Sequence, residues 1–228
     1  MRLDKFLADS ALGSRSELKT AIKKGQVTVN SVTVKDPGIS VTEKDSVTYM
    51  GQAVSYTPYI YLMMNKPKGV ISATEDKDKK TVLSLIDEKY SHYNLFPVGR
   101  LDIDTVGLLL ISNDGEMAHK ALSPKSHVEK TYYVETENKI SEDDIAAFTE
   151  GVYITGGTKT LPAKLEILSD NSANLTICEG KFHQVKFMFE ARGNKVTYLK
   201  RITFGKLTLD ETLKEGEYRP LKAEESVF

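Results

Sequence analysis

Residues 98 to 115 concentrate the groups in this chain that could do chemistry. They read Val-Gly-Arg-Leu-Asp-Ile-Asp-Thr-Val-Gly, then the apolar run Leu108 to Ser112, then the turn signal Asn113-Asp114-Gly115. Arg100, Asp102 and Asp104 are crowded between Gly99 and Gly107. Charges at alternate positions make a poor core and a poor solvated face. They suit a bend that projects charged groups from the mouth of a buried strand, where catalytic side chains often sit. A carboxylate so placed can serve as nucleophile or general base. Two together can divide the acid and base work of glycosidic cleavage. The bland alternative is a salt-bridged loop, which perturbs carboxylates for structural reasons only. Asp104 lies two residues beyond Asp102 and would point the same way along an extended segment, so the residues alone do not rank the two acids.

Other reactive groups are sparse. One cysteine, Cys178, excludes an internal disulfide and a cysteine-built zinc site. His92, His119, His127 and His183 are scattered without a close-spaced pair, so neither a metal nor a cofactor is expected. The N-terminus is charged from its second residue, and no apolar run approaches the roughly 18 residues of a membrane span. The expectation is a cytoplasmic, monomeric protein without membrane attachment. The 31 basic and 32 acidic residues give a net charge of −1, which advertises no polyanion partner. A balanced total still permits a basic face.

The elements that would position these groups fall into two sets. Up to residue 57 the pattern is helix, helix, hairpin. Arg2 to Ser10 carries Leu3, Phe6 and Leu7 on one helical face. Ser14 caps a second helix, with Glu17 three residues on completing a capping box. That helix bears Arg15, Lys19, Lys23 and Lys24 before Gly25. Val27, Val29, Val32 and Val34 alternate around Asn30-Ser31 as a hairpin, and a short strand follows near Ser46 to Tyr49. Gly51 to Pro58 reads as a short linker. From residue 58 onward, strands are expected at Tyr59 to Met64, Leu108 to Ser112, Thr131 to Glu135, Lys164 to Leu168, Asn174 to Cys178 and Lys195 to Phe204. Helices are expected at Thr81 to Ile86, Ser141 to Thr149 and Phe182 to Ala191. The fold class is α+β: a small helix-helix-hairpin domain over 1–57, then a larger mixed, mainly antiparallel sheet with flanking helices over 58–228.

Clustered Arg15, Lys19, Lys23 and Lys24 would make an ordinary solvated face or a phosphate-tracking surface, since such clusters release counterions from nucleic acid. Met-Arg-Leu-Asp-Lys-Phe-Leu at the start, Ser14-Arg15-Ser16 and Gly25-Gln26-Val27-Thr28-Val29-Asn30 resemble the S4-like RNA-binding domain. That resemblance implies a structured RNA partner, read by shape and phosphate.

The larger part is also similar to a family. Gly99 to Asp102, followed by a Thr, a Gly, the leucine run and Asn-Asp-Gly, resembles the RsuA-type pseudouridine synthases. So do Leu62-Met63-Met64-Asn65-Lys66-Pro67-Lys68-Gly69, Glu129-Lys130-Thr131-Tyr132-Tyr133-Val134, Glu179 to Lys186, and the closing Gly216-Glu217-Tyr218-Arg219-Pro220-Leu221. The resemblance implies isomerisation of a uridine in ribosomal RNA, at the small-subunit 16S site uridine 516, without a cofactor. The alternatives are a sister synthase acting on 23S RNA and a non-catalytic RNA-binding assembly factor. It makes Asp102 the catalytic aspartate, Tyr132 a face for the flipped uracil, and Lys186 the cation paired with Asp102. Arg100 would hold phosphate or fill the vacated space in the stack. Tyr133 would be the core residue of the pair, His183 structural or RNA-contacting, and Lys66 and Lys68 a phosphate grip around Pro67. The chain departs from the pattern at Phe187, where the family usually has a second basic residue. Substrate grip is what that departure puts in doubt.

Overall fold

The computed structural model describes residues 1–228 apart from Ala11, Glu43, Ser55, Thr57 and Pro58. The chain divides into two compact units, one of Met1–Ile60 with Lys89–Asn94, the other of Tyr61–Glu88 with Leu95–Phe228. The expected boundary between 57 and 58 lies outside the described residues.

In the first unit, α1 (Leu3–Asp9) and α2 (Arg15–Lys23) precede strands β1 (Val27–Val29), β2 (Val32–Val34), β3 (Val47–Tyr49) and β4 (Gln52–Ala53). The order β2-β1-β3-β4 is antiparallel throughout. Asn30 and Ser31 both take left-handed φ, +50° and +67°, as a two-residue hairpin turn requires. Part of the expected linker is thus strand β4. The capping box forms as read: the Ser14 side chain accepts from the Glu17 N–H, and the Glu17 carboxylate accepts from Ser14 N–H. Leu3, Phe6 and Leu7 meet Leu18, Ile22 and Val27 in one small core. Beneath it the fully buried Asp4 accepts from Arg2 and Arg15, with Lys19 at 3.8 Å. The Arg2 hydrogen bond outweighs burial and holds the Asp4 carboxyl at about 2.

The second unit is built on a nine-stranded sheet among the described residues. Its strands begin with β5 (Tyr61–Lys66), β6 (Phe96–Val98) and β7 (Val106–Ser112), after which α3 (Gly115–Leu122) leads to β8 (Lys130–Thr136). Helix α4 (Glu142–Glu150), the small hairpin β9 (Tyr153–Ile154) and β10 (Thr158–Lys159), then β11 (Lys164–Ser169) and β12 (Ser172–Ile177) come next. Helix α5 (Gln184–Glu190), β13 (Val196–Phe204), β14 (Leu207–Thr208) and β15 (Tyr218–Pro220) complete it. The order is β11-β12-β8-β13-β7-β5-β15, with β14 beside β13 and β6 beside β7. Every pair is antiparallel except β13 with β7. Strand β7 is buried along its whole length, which explains its unbroken apolar run. Helices α4 and α5 meet through Phe148 and Phe189, edge to face at 5.1 Å.

Four local expectations are corrected. Asn65 and Lys66, read as loop, continue β5 opposite Leu108 and Gly107, because backbone pairing with β7 overrides their polarity. Asp114 does not merely turn the chain: its carboxylate accepts from the Met117 N–H and caps α3. Thr81 to Ile86 is only a 3-10 turn, Val82–Leu85. Helix α5 begins at Gln184 instead of Phe182, because His183 takes left-handed φ, +48°.

Candidate active site

The Asp102 segment is the bend that leads into β7, and three clamps fix its backbone. The Ser72 hydroxyl donates to the Leu101 carbonyl and accepts from the Leu101 N–H, at 3.0 and 3.1 Å. The Gly69 N–H donates to the Ile103 carbonyl at 2.7 Å. The Lys66 ammonium donates to the carbonyls of Pro67, Asp102 and Thr105 at 3.1, 3.0 and 2.9 Å. Lys66 is fully buried, so the expected phosphate grip is wrong for this residue. Its three protons are already taken by carbonyls, and an ammonium has no more to give. Burial pushes Lys66 down to about 8, against the charges of Asp104, Asp102 and Glu215. Lys68, by contrast, is exposed.

On this frame the side chains converge. Lys186, from the first turn of α5, places its Nζ 3.0 Å from Asp102 Oδ2 and 2.6 Å from Asp104 Oδ1. One ammonium therefore bridges both acids, although they are 82 and 84 residues away in sequence. Burial works against the charge of Lys186, but the hydrogen bonds to Asp104 and Asp102 outweigh it and its pKa is raised. For Asp104 burial likewise opposes ionisation, and the Lys186 hydrogen bond prevails, so its pKa is lowered. His183 Nε2 stands 3.5 Å from Asp102 Oδ1, held there by the left-handed turn before α5. The His183 ring stacks on Phe182 at 3.8 Å, and Phe187 packs at 5.8 Å from it. The apolar ring at 187 thus belongs to an aromatic cluster at the rim.

A cleft opens beside Asp102. Arg100, Thr105, Tyr132, Lys181 and His183 line it, with Leu199 and Ile177 as apolar walls. Tyr132, on β8, is 8% exposed. Tyr133 is not the core residue expected of it. It faces the other side of the sheet, donates its hydroxyl to Glu135 at 3.0 Å and sets its ring against Tyr198. The larger side of this sheet face is wet at Tyr133, so alternation alone picked the wrong tyrosine as buried. Arg100 is exposed at the rim and makes no ion pair among the described residues. Arg15, Lys19, Lys23 and Lys24 are exposed along α2 and its C-cap, with Arg15 at 3.2 Å and Lys19 at 3.8 Å from Asp4.

Sequence reasoning missed three contributors. Asp104 shares Lys186, Lys66 anchors the bend, and the Thr105 hydroxyl lies buried in the cleft wall without a hydrogen-bond partner among the described residues. The close Pro-flanked lysines gave no hint that one of them turned inward.

This arrangement sets one carboxylate, a paired ammonium and an aromatic face around a cleft with a cationic rim, in a chain whose first unit is small and basic. Residues 60–191 match the family model described as RNA pseudouridylate synthase, and residues 1–47 match the S4 domain. The chain belongs to the RNA pseudouridylate synthase family. Within that family it is of the RsuA type, with an N-terminal S4 RNA-binding domain. An uncharacterised RNA pseudouridine synthase of Bacillus subtilis, YtzG, is 51% identical over 99% of this chain and 96% of its own length. Ribosomal small subunit pseudouridine synthase A of Vibrio cholerae is 45% identical, covering 99% and 97%. A crystal structure of a pseudouridylate synthase superposes with a TM-score of 0.68 at 41% identity, covering 97% of this chain and 96% of that one. As a synthase of this family, the chain is an isomerase acting on RNA. No helix among the described residues is long and apolar enough to cross a membrane.

Proposed function

We propose that this synthase isomerises one uridine of 16S ribosomal RNA, the small-subunit uridine 516, to pseudouridine. The observation that carries the reading is the Asp102 carboxylate, 3.0 Å from the Lys186 ammonium at the mouth of a cleft walled by Tyr132. The small-subunit choice draws support from full-length relatives named for that subunit, such as the Vibrio cholerae enzyme.

The reaction breaks the bond from the ribose C1′ to uracil N1 and forms one from C1′ to C5. The C5 proton is lost and N1 gains one, so the product is an isomer and no cofactor is consumed. Asp102 supplies the carboxylate against which the glycosidic bond is broken and remade. Lys186 holds that carboxylate in place with its ammonium 3.0 Å away and offsets its charge beside the RNA phosphates. Tyr132 offers its ring to the flipped uracil, and Arg100 meets the RNA at the rim, where unstacking costs a few kcal/mol. Residues 1–57 form the docking domain and 58–228 the catalytic one. Lys19, Lys23 and Lys24, with Arg15 beside them, track phosphate, and Lys68 contacts the RNA near the cleft. The enzyme works as a cytoplasmic monomer.

The test is incubation with transcribed 16S and 23S RNA, scored by carbodiimide-dependent primer-extension stops. One stop in 16S RNA is expected. Asp102→Asn should reduce it by at least about a hundredfold, with the thermal melt unchanged. Undiminished modification by that variant overturns the role of Asp102. A stop in 23S RNA alone overturns the choice of subunit.

A further inference from the structure

A second hollow adjoins the cleft, on the far side of Asp104. It measures about 130 Å³, against about 70 Å³ beside Asp102, and Leu199 walls both. Its lining combines Lys68, Asp104, Lys186, Thr197, Tyr198 and Glu215. Asp104 and Lys186 are occupied with each other at 2.6 Å. Lys68 and Glu215 are exposed and form no ion pair among the described residues. Tyr198 is half-buried on β13, its ring edge set against Tyr133 at 6.2 Å. Tyr198 and Glu215 line the same hollow, and burial, then the charge of Glu215, raise the Tyr198 pKa.

We propose that this hollow binds the nucleotide adjacent to the target uridine and selects guanine there. The inference rests on the reading of the cleft as the uridine site. An aromatic ring flanked by one free carboxylate and one free ammonium suits a base stacked and read along its Watson–Crick edge. A carboxylate accepts two N–H groups side by side. Guanine alone presents that pair, at N1 and the 2-amino group, next to an O6 acceptor for an ammonium. Adenine and cytosine set a bare ring nitrogen beside their amine, and a carboxylate repels it. Uracil has a single N–H between two carbonyls. Glu215 therefore accepts from N1 and the 2-amino group, Lys68 donates to O6, and Tyr198 carries the base. Leu199 lines both hollows, and Lys186, in the wall of the second, reaches the Asp102 carboxylate of the first, so the two hollows lie side by side. Contacts to flanking nucleotides are a general source of substrate choice in enzymes that flip a base.

The experiment uses the full-length protein and RNA fragments spanning the mapped uridine, with guanosine, inosine or adenosine at each neighbouring position. Inosine differs from guanosine only by lacking the 2-amino group. Replacing the neighbouring guanosine by inosine should lower kcat/KM on the order of tenfold for the native protein. That discrimination should vanish in Glu215→Gln, while Tyr198→Ala should raise KM and Tyr198→Phe should not. Turnover at equal rates with all three bases at both neighbours sinks the guanine subsite and leaves the synthase reading intact. Absence of turnover on every ribosomal RNA sinks the synthase reading and the subsite with it.

Discussion

Two acids that looked equivalent in the sequence have different surroundings in the structure. Asp102 faces the cleft, with Lys186 on one oxygen and His183 near the other. Asp104 stands half-exposed on the far side of the same ammonium. A single lysine thus links Asp102 to its neighbour Asp104, and no glycosidase-like division of labour between two free acids is left. Lys66 shows the opposite lesson. Its type and flanking proline suggested a surface cation, yet it is the buried peg under the Asp102 bend. Lys66→Met keeps much of the volume but deprives three carbonyls of their donor. Each unmatched buried acceptor costs roughly 1–3 kcal/mol, so a loss of at least about 2 kcal/mol in urea unfolding is expected. The same variant should lose kcat more than KM, because the bend that aims Asp102 loosens. A wild-type kcat with an unchanged midpoint would show that Lys66 is not the peg.

At the scale of elements, the site depends on one parallel contact in an otherwise antiparallel sheet. Strand β13 meets β7 only at the first residues of β7, Val106 and Gly107, immediately after the Asp102 bend. Gly107 takes φ +100°, and a Cβ there would lie 2.3 Å from the Arg201 carbonyl oxygen. That oxygen is backbone and cannot swing away. Gly107→Ala should therefore cost about 3 kcal/mol or more, through strain and a parted strand pair. Melting temperature and pseudouridine formation should fall together, which calorimetry and primer extension would show. The Ser14–Glu17 capping box, the Asn30-Ser31 turn and most strand positions were legible in the sequence, since local hydrogen bonding and period-two burial set them. Helix α3, and the start of α5 at Gln184, were not. Asp114 signals a turn and a helix cap with the same side chain, and the αL residue His183 is chosen by what it faces across the fold.

Across the whole molecule, the proposed function divides labour between a basic docking unit and a catalytic sheet. Net charge of −1 concealed this, because Lys19, Lys23 and Lys24 are exposed together on α2 while acids are spread elsewhere. Lys23→Glu with Lys24→Glu should weaken RNA binding uniformly across sequences. The slope of log affinity against log salt should fall by roughly one for each phosphate contact removed. KM should rise and kcat stay near its native value, since neither residue touches the cleft. An unaltered salt slope in a filter-binding titration would remove α2 from the RNA surface.

By itself the sequence determined the class of the protein, its main strands and helices, and Asp102, Tyr132 and Lys186 as the residues to watch. Motif spacing and local propensity carry that information, because both act over a few residues at a time. The tertiary structure alone decided that Lys186 bridges two acids, that Lys66 turns inward, that Tyr133 lies on the wet face, and that a second hollow adjoins the first. Those outcomes depend on which backbone atoms meet across tens of residues, and an ammonium's role follows from the acceptors it reaches.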